Sequence, residues 1–109
     1  MRTQAKFEIT GYVGEIQANG KVTHLKVAAH YRRKDGDSWT DDTYWNRVAV
    51  FSDERRQYIA DNIKVGDLVE AEGRMRDTSY ERGGKTIYAT DRIVYQFRKL
   101  EAEQADEAA

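Results

Sequence analysis

Trp45, Arg47 and Phe51 stand at alternate positions of the run Tyr44-Trp45-Asn46-Arg47-Val48-Ala49-Val50-Phe51. On an extended strand successive side chains point to opposite faces, so these three share a face with Ala49 while Val48 and Val50 turn the other way. A guanidinium between two aromatic surfaces suits a single-stranded nucleic acid. Bases stack on the rings at about 1–3 kcal/mol each, and the cation meets the phosphate between them. The competing assignment buries Trp45 and Phe51 and leaves the valines partly outside. Arg47 would then need a buried partner that the sequence does not offer, which favours the outward placement of the aromatics.

Two further clusters have the same chemistry. Arg74, Met75, Arg76, Tyr80, Arg82, Lys85 and Tyr88 gather on and beside a Gly83-Gly84 turn. Long cations around such a hairpin serve equally well as a solvated strand edge that discourages pairing. Beside the Trp45 face they would complete a groove. Tyr31, Arg32, Arg33, Lys34 and Trp39 form a third cluster, diluted by Asp35, Asp37, Asp41 and Asp42, and Tyr31 and Arg33 are its expected contacts, at the periphery.

Catalysis finds little to work with. The imidazoles are His24 and His30, six residues apart on one face of a strand pattern and so about 20 Å apart, too far to share a metal. The acids form no grouping beyond solvated pairs. With no Cys, disulfides, thiolate metal sites and a cysteine nucleophile are excluded. The expectation is a binding protein, not an enzyme, with no catalytic residue, metal or cofactor.

These side chains need a scaffold, and the pattern supplies one. Phe7, Ile9, Gly11 and Val13 alternate with polar or aromatic residues before Asn19-Gly20, a turn dipeptide. Val22 to Tyr31 alternates again, with Leu25, Val27, Ala29 and Tyr31 opposite His24, Lys26 and His30. Arg32 to Asp42 is charged, contains Gly36 and has only Trp39 to bury, so it is expected to be an exposed loop. The third strand is expected to begin at Tyr44. Ser52 can cap a helix that continues through Asp53, Glu54, Tyr58 and Ile59 to Ile63. Lys64-Val65-Gly66-Asp67 reads as a turn, and Leu68–Arg76 and Thr86–Phe97 as two strands around Glu81-Arg82-Gly83-Gly84-Lys85. The order β-β-β-α-β-β predicts an all-β, five-stranded OB-fold Greek-key barrel with one short helix between strands 3 and 4. An SH3-like barrel is the alternative.

The run Thr43 to Phe51 resembles a segment of the bacterial single-stranded DNA-binding proteins, in which Trp-His-Arg-Val precedes a Phe. The likeness continues through Lys64-Val65-Gly66-Asp67 and Val69-Glu70-Ala71-Glu72-Gly73-Arg74-Met75-Arg76. Order and spacing agree from Phe7 to Phe97. The resemblance implies sequence-independent binding to single-stranded DNA in replication, recombination or repair, and a cytoplasmic, nucleoid-associated location. It places Trp45 and Phe51 at the family's stacking positions, Tyr80 at an aromatic of the fourth-strand hairpin and Tyr31 at an aromatic ending strand two. Tyr31 and Tyr80 stand where better-known members have Trp, which leaves less area for stacking. Asn46 stands where a His linked to subunit contacts is frequent, and the first hairpin is short, so a homodimer is an alternative to the family's homotetramer. The chain has no Pro and stops at Ala109, so no counterpart of the family's linker and acidic Pro-Phe tip is expected, and recruitment of other proteins through such a tip is doubtful. An OB-fold assembly or RNA-binding module is the rival function.

At 109 residues one domain is expected, 1–100, followed by a short acidic tail, 101–109. The tail holds Glu101, Glu103, Asp106 and Glu107 and no base. All 18 bases and 15 of the 19 acids lie in residues 1–100, which therefore carry +3 although the chain's net charge is −1. Met1 to Lys6 is polar, without the apolar core of a secretory signal, and no run approaches a membrane span.

Overall fold

In the computed structural model, which describes residues 2–101, hydrophobic alternation and the turn glycines lay down β1 (Lys6–Asn19), β2 (Val22–Asp35), β3 (Ser38–Val50), α1 (Asp53–Asn62), β4 (Leu68–Arg82) and β5 (Lys85–Lys99). The strands close a barrel in the order β1-β2-β3-β5-β4. Strand β4 returns antiparallel to β1 from Lys6↔Arg74 to Tyr12↔Leu68. Strand β3 meets β5 in parallel at Ala49↔Ile93. This is the OB-fold.

Inward positions of every strand fill the barrel: Phe7, Ile9 and Val13 from β1, Leu25 and Val27 from β2, Val48 and Val50 from β3, Val69 and Ala71 from β4, Val94 from β5. The helix follows β3 because Ser52 adopts an extended conformation and its Oγ accepts the Arg55 N–H at 3.3 Å. Asp53 and Glu54 sit in its first turn, where the helix dipole favours negative charge. Its apolar side seats Ile59 in the core, followed by Ile63 just past its end. Tyr58 stays half exposed and accepts the Lys99 N–H through its hydroxyl.

Each hairpin closes through two residues. Gly20 and Gly36 take positive φ of 58° and 65°, each followed by a non-glycine residue with negative φ, whereas Gly83 and Gly84 are both positive. The last pair has the signature of a type I′ turn, which needs two residues at φ > 0. The third turn is therefore Gly83-Gly84, tighter than the five residues expected, and β4 runs on to Arg82.

The expected loop from Arg32 to Asp42 is instead a β-ribbon. Strand β2 continues to Asp35, and β3 begins at Ser38 rather than at Tyr44, with every pair from Arg32↔Asp41 to Asp35↔Ser38 in register. Opposite charges across the ribbon hold it: Arg33 Nε lies 2.7 Å from Asp42 Oδ2 and Arg32 Nε 3.7 Å from Asp41 Oδ1. Arg32 also stacks its guanidinium over Trp39 at 5.3 Å. Cross-strand pairing stabilises a segment that hydropathy alone marks as irregular. Two long ribbons, β2–β3 and β4–β5, thus project from the barrel. Of the acidic tail, residues 102–109 lie outside the described residues. Among the described residues no helix is long and apolar enough to cross a membrane.

Candidate nucleic-acid interface

The strand parity read from the sequence holds on β3. Val48 and Val50 are completely buried, while Trp45 and Phe51 are 59% and 54% exposed. Register sets the neighbours of the outward row: Trp45 pairs with Ala28, Arg47 with Lys26 and Ala49 with His24. On the next strand Glu15 pairs with Lys26 and Gln17 with His24. The parallel contact at Ala49↔Ile93 joins this row to the β4–β5 ribbon, where Arg74 opposes Ile93, Arg76 opposes Asp91, Tyr80 opposes Ile87 and Arg82 opposes Lys85. Arg47, Phe51 and Arg76 meet in a cleft that His24, Ala49, Asp91 and Ile93 also line. One continuous outward face therefore brings together Trp45, Arg47, Phe51, Arg74, Arg76, Tyr80, Arg82 and Lys85.

Three expected contacts fall elsewhere. Tyr31 and Arg33 have the parity of the core residues Leu25 and Val27, so they stand on the other side of the β2–β3 ribbon, where Tyr31 meets Tyr44 edge to face at 5.7 Å. Tyr88, 81% exposed, pairs with Ser79 and shares its side of the β4–β5 ribbon with Asp77 and Thr90. For Tyr88 the physical reason lies in β5, where Phe97 and Val94 both reach the core although three residues apart. The register shift between Glu72 and Gly73 leaves Tyr95 without a partner and reverses the parity beyond it.

Charge pairing divides the cations. Among the described residues Arg47, Arg74, Arg82 and Lys85 have no ion-pair partner, whereas Arg76 lies 3.4 Å from Asp91 and Lys26 Nζ 3.1 Å from Glu15 Oε2. The Lys26 ammonium, by hydrogen bond and by charge, holds the Glu15 carboxyl below its ordinary value. His24 is held below the ordinary imidazole range by desolvation first and then by the Arg47 charge. Its buried Nδ1 has no hydrogen-bond partner among the described residues. Asn46, half-buried on β3, donates through Nδ2 to the Tyr44 carbonyl of its own strand at 3.3 Å.

Lys26, His24 and Gly14 belong to this face and were absent from the contacts read in the sequence. For Lys26 and His24 the signal was present, since the even positions of strand two include His24, Lys26 and His30. Their pairing with Arg47 and Ala49 needed the register. Among the described residues no group of three or more His, Cys, Asp or Glu is placed to hold a metal ion.

An OB-fold barrel with an outward row of aromatics and uncompensated cations defines a class of single-strand binders. The chain belongs to the single-strand binding protein family, which matches residues 10–100. Among solved structures it is similar to the Plasmodium falciparum SSB in complex with ssDNA, with a TM-score of 0.79 at 18% identity over 93% of this chain and 98% of that one. It also resembles the small single-stranded DNA-binding protein of Streptomyces coelicolor, at TM-score 0.68 and 21% identity over 94% and 99% of the two chains. The mitochondrial single-stranded DNA binding protein Rim1 of S. cerevisiae gives 0.72 and 19% over 91% and 97%. At these identities the structures establish the fold, and the family match establishes the membership.

Proposed function

We propose that the chain binds single-stranded DNA without sequence preference along the outward face of β3 and the β4–β5 ribbon, protecting it in replication, recombination or repair. The observation that carries the reading is Arg47, exposed and without an ion-pair partner among the described residues, between the exposed rings of Trp45 and Phe51. Trp45, Phe51 and Tyr80 offer π faces to successive bases, and Arg47, Arg74, Arg82 and Lys85 offer charge to the phosphates between them. Arg76 and Lys26 join by exchanging a carboxylate for a phosphate. Stacking reads no base identity, which fits a strand-coating role. Tyr31, Arg33 and Tyr88 lie behind this path and contribute only where the strand passes around a ribbon edge.

The role is binding rather than catalysis, in the cytoplasm. Self-association into a dimer or tetramer is part of the proposal, supported by β1, whose pairing with β4 ends at Tyr12 while its pairing with β2 continues to Asn19. The last residues of β1, Glu15 to Asn19, therefore present an edge on which a second copy could add a strand.

Titration with oligo(dT) at two salt concentrations, followed by Trp emission, tests the function. Saturable quenching and an affinity that falls steeply with salt are expected, because each neutralised phosphate releases counterions. Unquenched emission with no salt-sensitive binding would remove the proposal, and equal affinity for an RNA of the same sequence would widen it to both nucleic acids.

A further inference from the structure

Gly14 sits on β1 where the register steps from Val13↔Val27 to Glu15↔Lys26, so it is the unpaired residue of a β-bulge. Its backbone does not require glycine, since it is not among the positive-φ positions. The residue is exposed, so packing of the barrel interior does not exclude a side chain either. What excludes one is the indole of Trp45, two strands away. A Cβ on Gly14 would overlap Trp45 Cζ3 and lie 2.5 Å from Cη2, where carbon atoms need about 3.5–4.0 Å. The ring lies across the bulge with its outer six-membered portion on the bare glycine, beside Glu15 and Lys26.

From this contact we infer that Gly14 is a positioning residue for DNA binding: it provides the bare backbone on which Trp45 lies, fixing one face of the indole and leaving the other free to receive a base. The inference rests on the stacking role of Trp45 proposed above. A ring held in this way gives up little rotamer freedom when a base arrives, so more of the stacking energy appears as affinity. Any side chain at Gly14 lifts the ring off the sheet, although Gly14 itself touches no nucleotide.

The test uses the whole chain carrying Trp39→Phe, which leaves Trp45 as the sole indole. Gly14→Ala is expected to raise acrylamide quenching of Trp45 in the free protein, without DNA, and to weaken oligo(dT) binding about tenfold, the size of one lost stacking contact. With Trp45→Phe, which lacks the outer ring that would overlap, Gly14→Ala should leave affinity for end-labelled oligo(dT) unchanged within about twofold, because sites that do not interact add independently. Unaltered quenching in the free protein overturns the inference, as does the same affinity loss in the Trp45→Phe background. If Gly14→Ala alone does not fold, refolding by added Trp45→Phe supports the contact, and failure of both variants to fold refutes it. The free-protein quenching keeps this outcome separate from the proposed function: altered quenching in a protein that binds no oligo(dT) retains the contact and defeats the binding role.

Discussion

Lys26 Nζ and Glu15 Oε2 lie 3.1 Å apart on neighbouring strands, directly beside Arg47 in the cross-strand register. The pair is exposed, so its own contribution to stability is small, of the order of 0–1 kcal/mol. Its larger effect is expected on binding, because on the proposed path Glu15 would compete with phosphate for Lys26 and lower the positive field around Arg47. Glu15→Gln is expected to tighten oligo(dT) binding about two- to fivefold at low salt, in line with the energy of an exposed charge pair. The slope of log affinity against log salt should also steepen as Lys26 becomes a full counterion site. An unchanged affinity and slope would show that the strand does not reach Lys26.

Trp45 and Phe51 are separated from the barrel interior by the thickness of β3, and that separation predicts opposite phenotypes on its two faces. Trp45→Ala and Phe51→Ala should each weaken single-strand binding by about 1–3 kcal/mol with the melting temperature nearly preserved. Val48→Ala, at a fully buried position, should cost about 2–3 kcal/mol of stability from lost methyl burial and the cavity left behind, with the folded fraction binding normally. Thermal melts and titrations on the same three variants decide it; the reverse pattern would exchange the two faces.

Tyr80 and Tyr88 are close in sequence and stand on opposite sides of the β4–β5 ribbon. Tyr80→Ala is therefore expected to weaken oligo(dT) binding by about 1 kcal/mol, the lower end of the stacking range, and Tyr88→Ala by well under half of that. Equal losses would mean that the strand wraps both sides of the β4–β5 ribbon, and would return Tyr88 to the main contact set.

His24 makes stability depend on pH in a direction that can be worked out. Desolvation and the Arg47 charge depress its folded-state pKa below 6.5. As pH falls below 6.5, the unfolded chain takes up the His24 proton before the folded one does, so stability declines until pH passes the folded value. His24→Gln should remove that part of the slope in melting temperature between pH 7.5 and pH 5, a window of about one unit above and somewhat more below the free imidazole value. A slope as steep in His24→Gln as in the parent would assign the acid sensitivity to other groups.

Mass measurement by light scattering tests self-association. A dimer or tetramer is expected at tens of micromolar, about the concentration at which a weak oligomer still assembles. A monomer throughout that range would leave the β1 edge without a partner copy.

The order of elements, the parity of β3 and the helix cap at Ser52 were legible in the chain because each depends on neighbours in sequence. Alternation puts Val48 and Val50 inside and Trp45 and Phe51 outside, and an Arg between two aromatics cannot be buried without a partner. The Arg32–Asp42 segment was not legible as strand. Its stability comes from Arg33–Asp42, Arg32–Asp41 and Arg32–Trp39, contacts that exist only once the ribbon has registered.

Two bulges mark the same boundary more sharply. Counting outward from Phe97 at a period of two would place Tyr88 beside Tyr80, yet the unpaired Tyr95 reverses every side chain beyond it. Gly14, an ordinary glycine in the sequence, acquires its role only when the second bulge brings it beneath Trp45. Composition and alternation mark which residues offer aromatic faces, which carry charge and which fill the core, because both are local properties. The closed barrel decided which of them face the same groove, because register and bulges are set by partners distant along the chain.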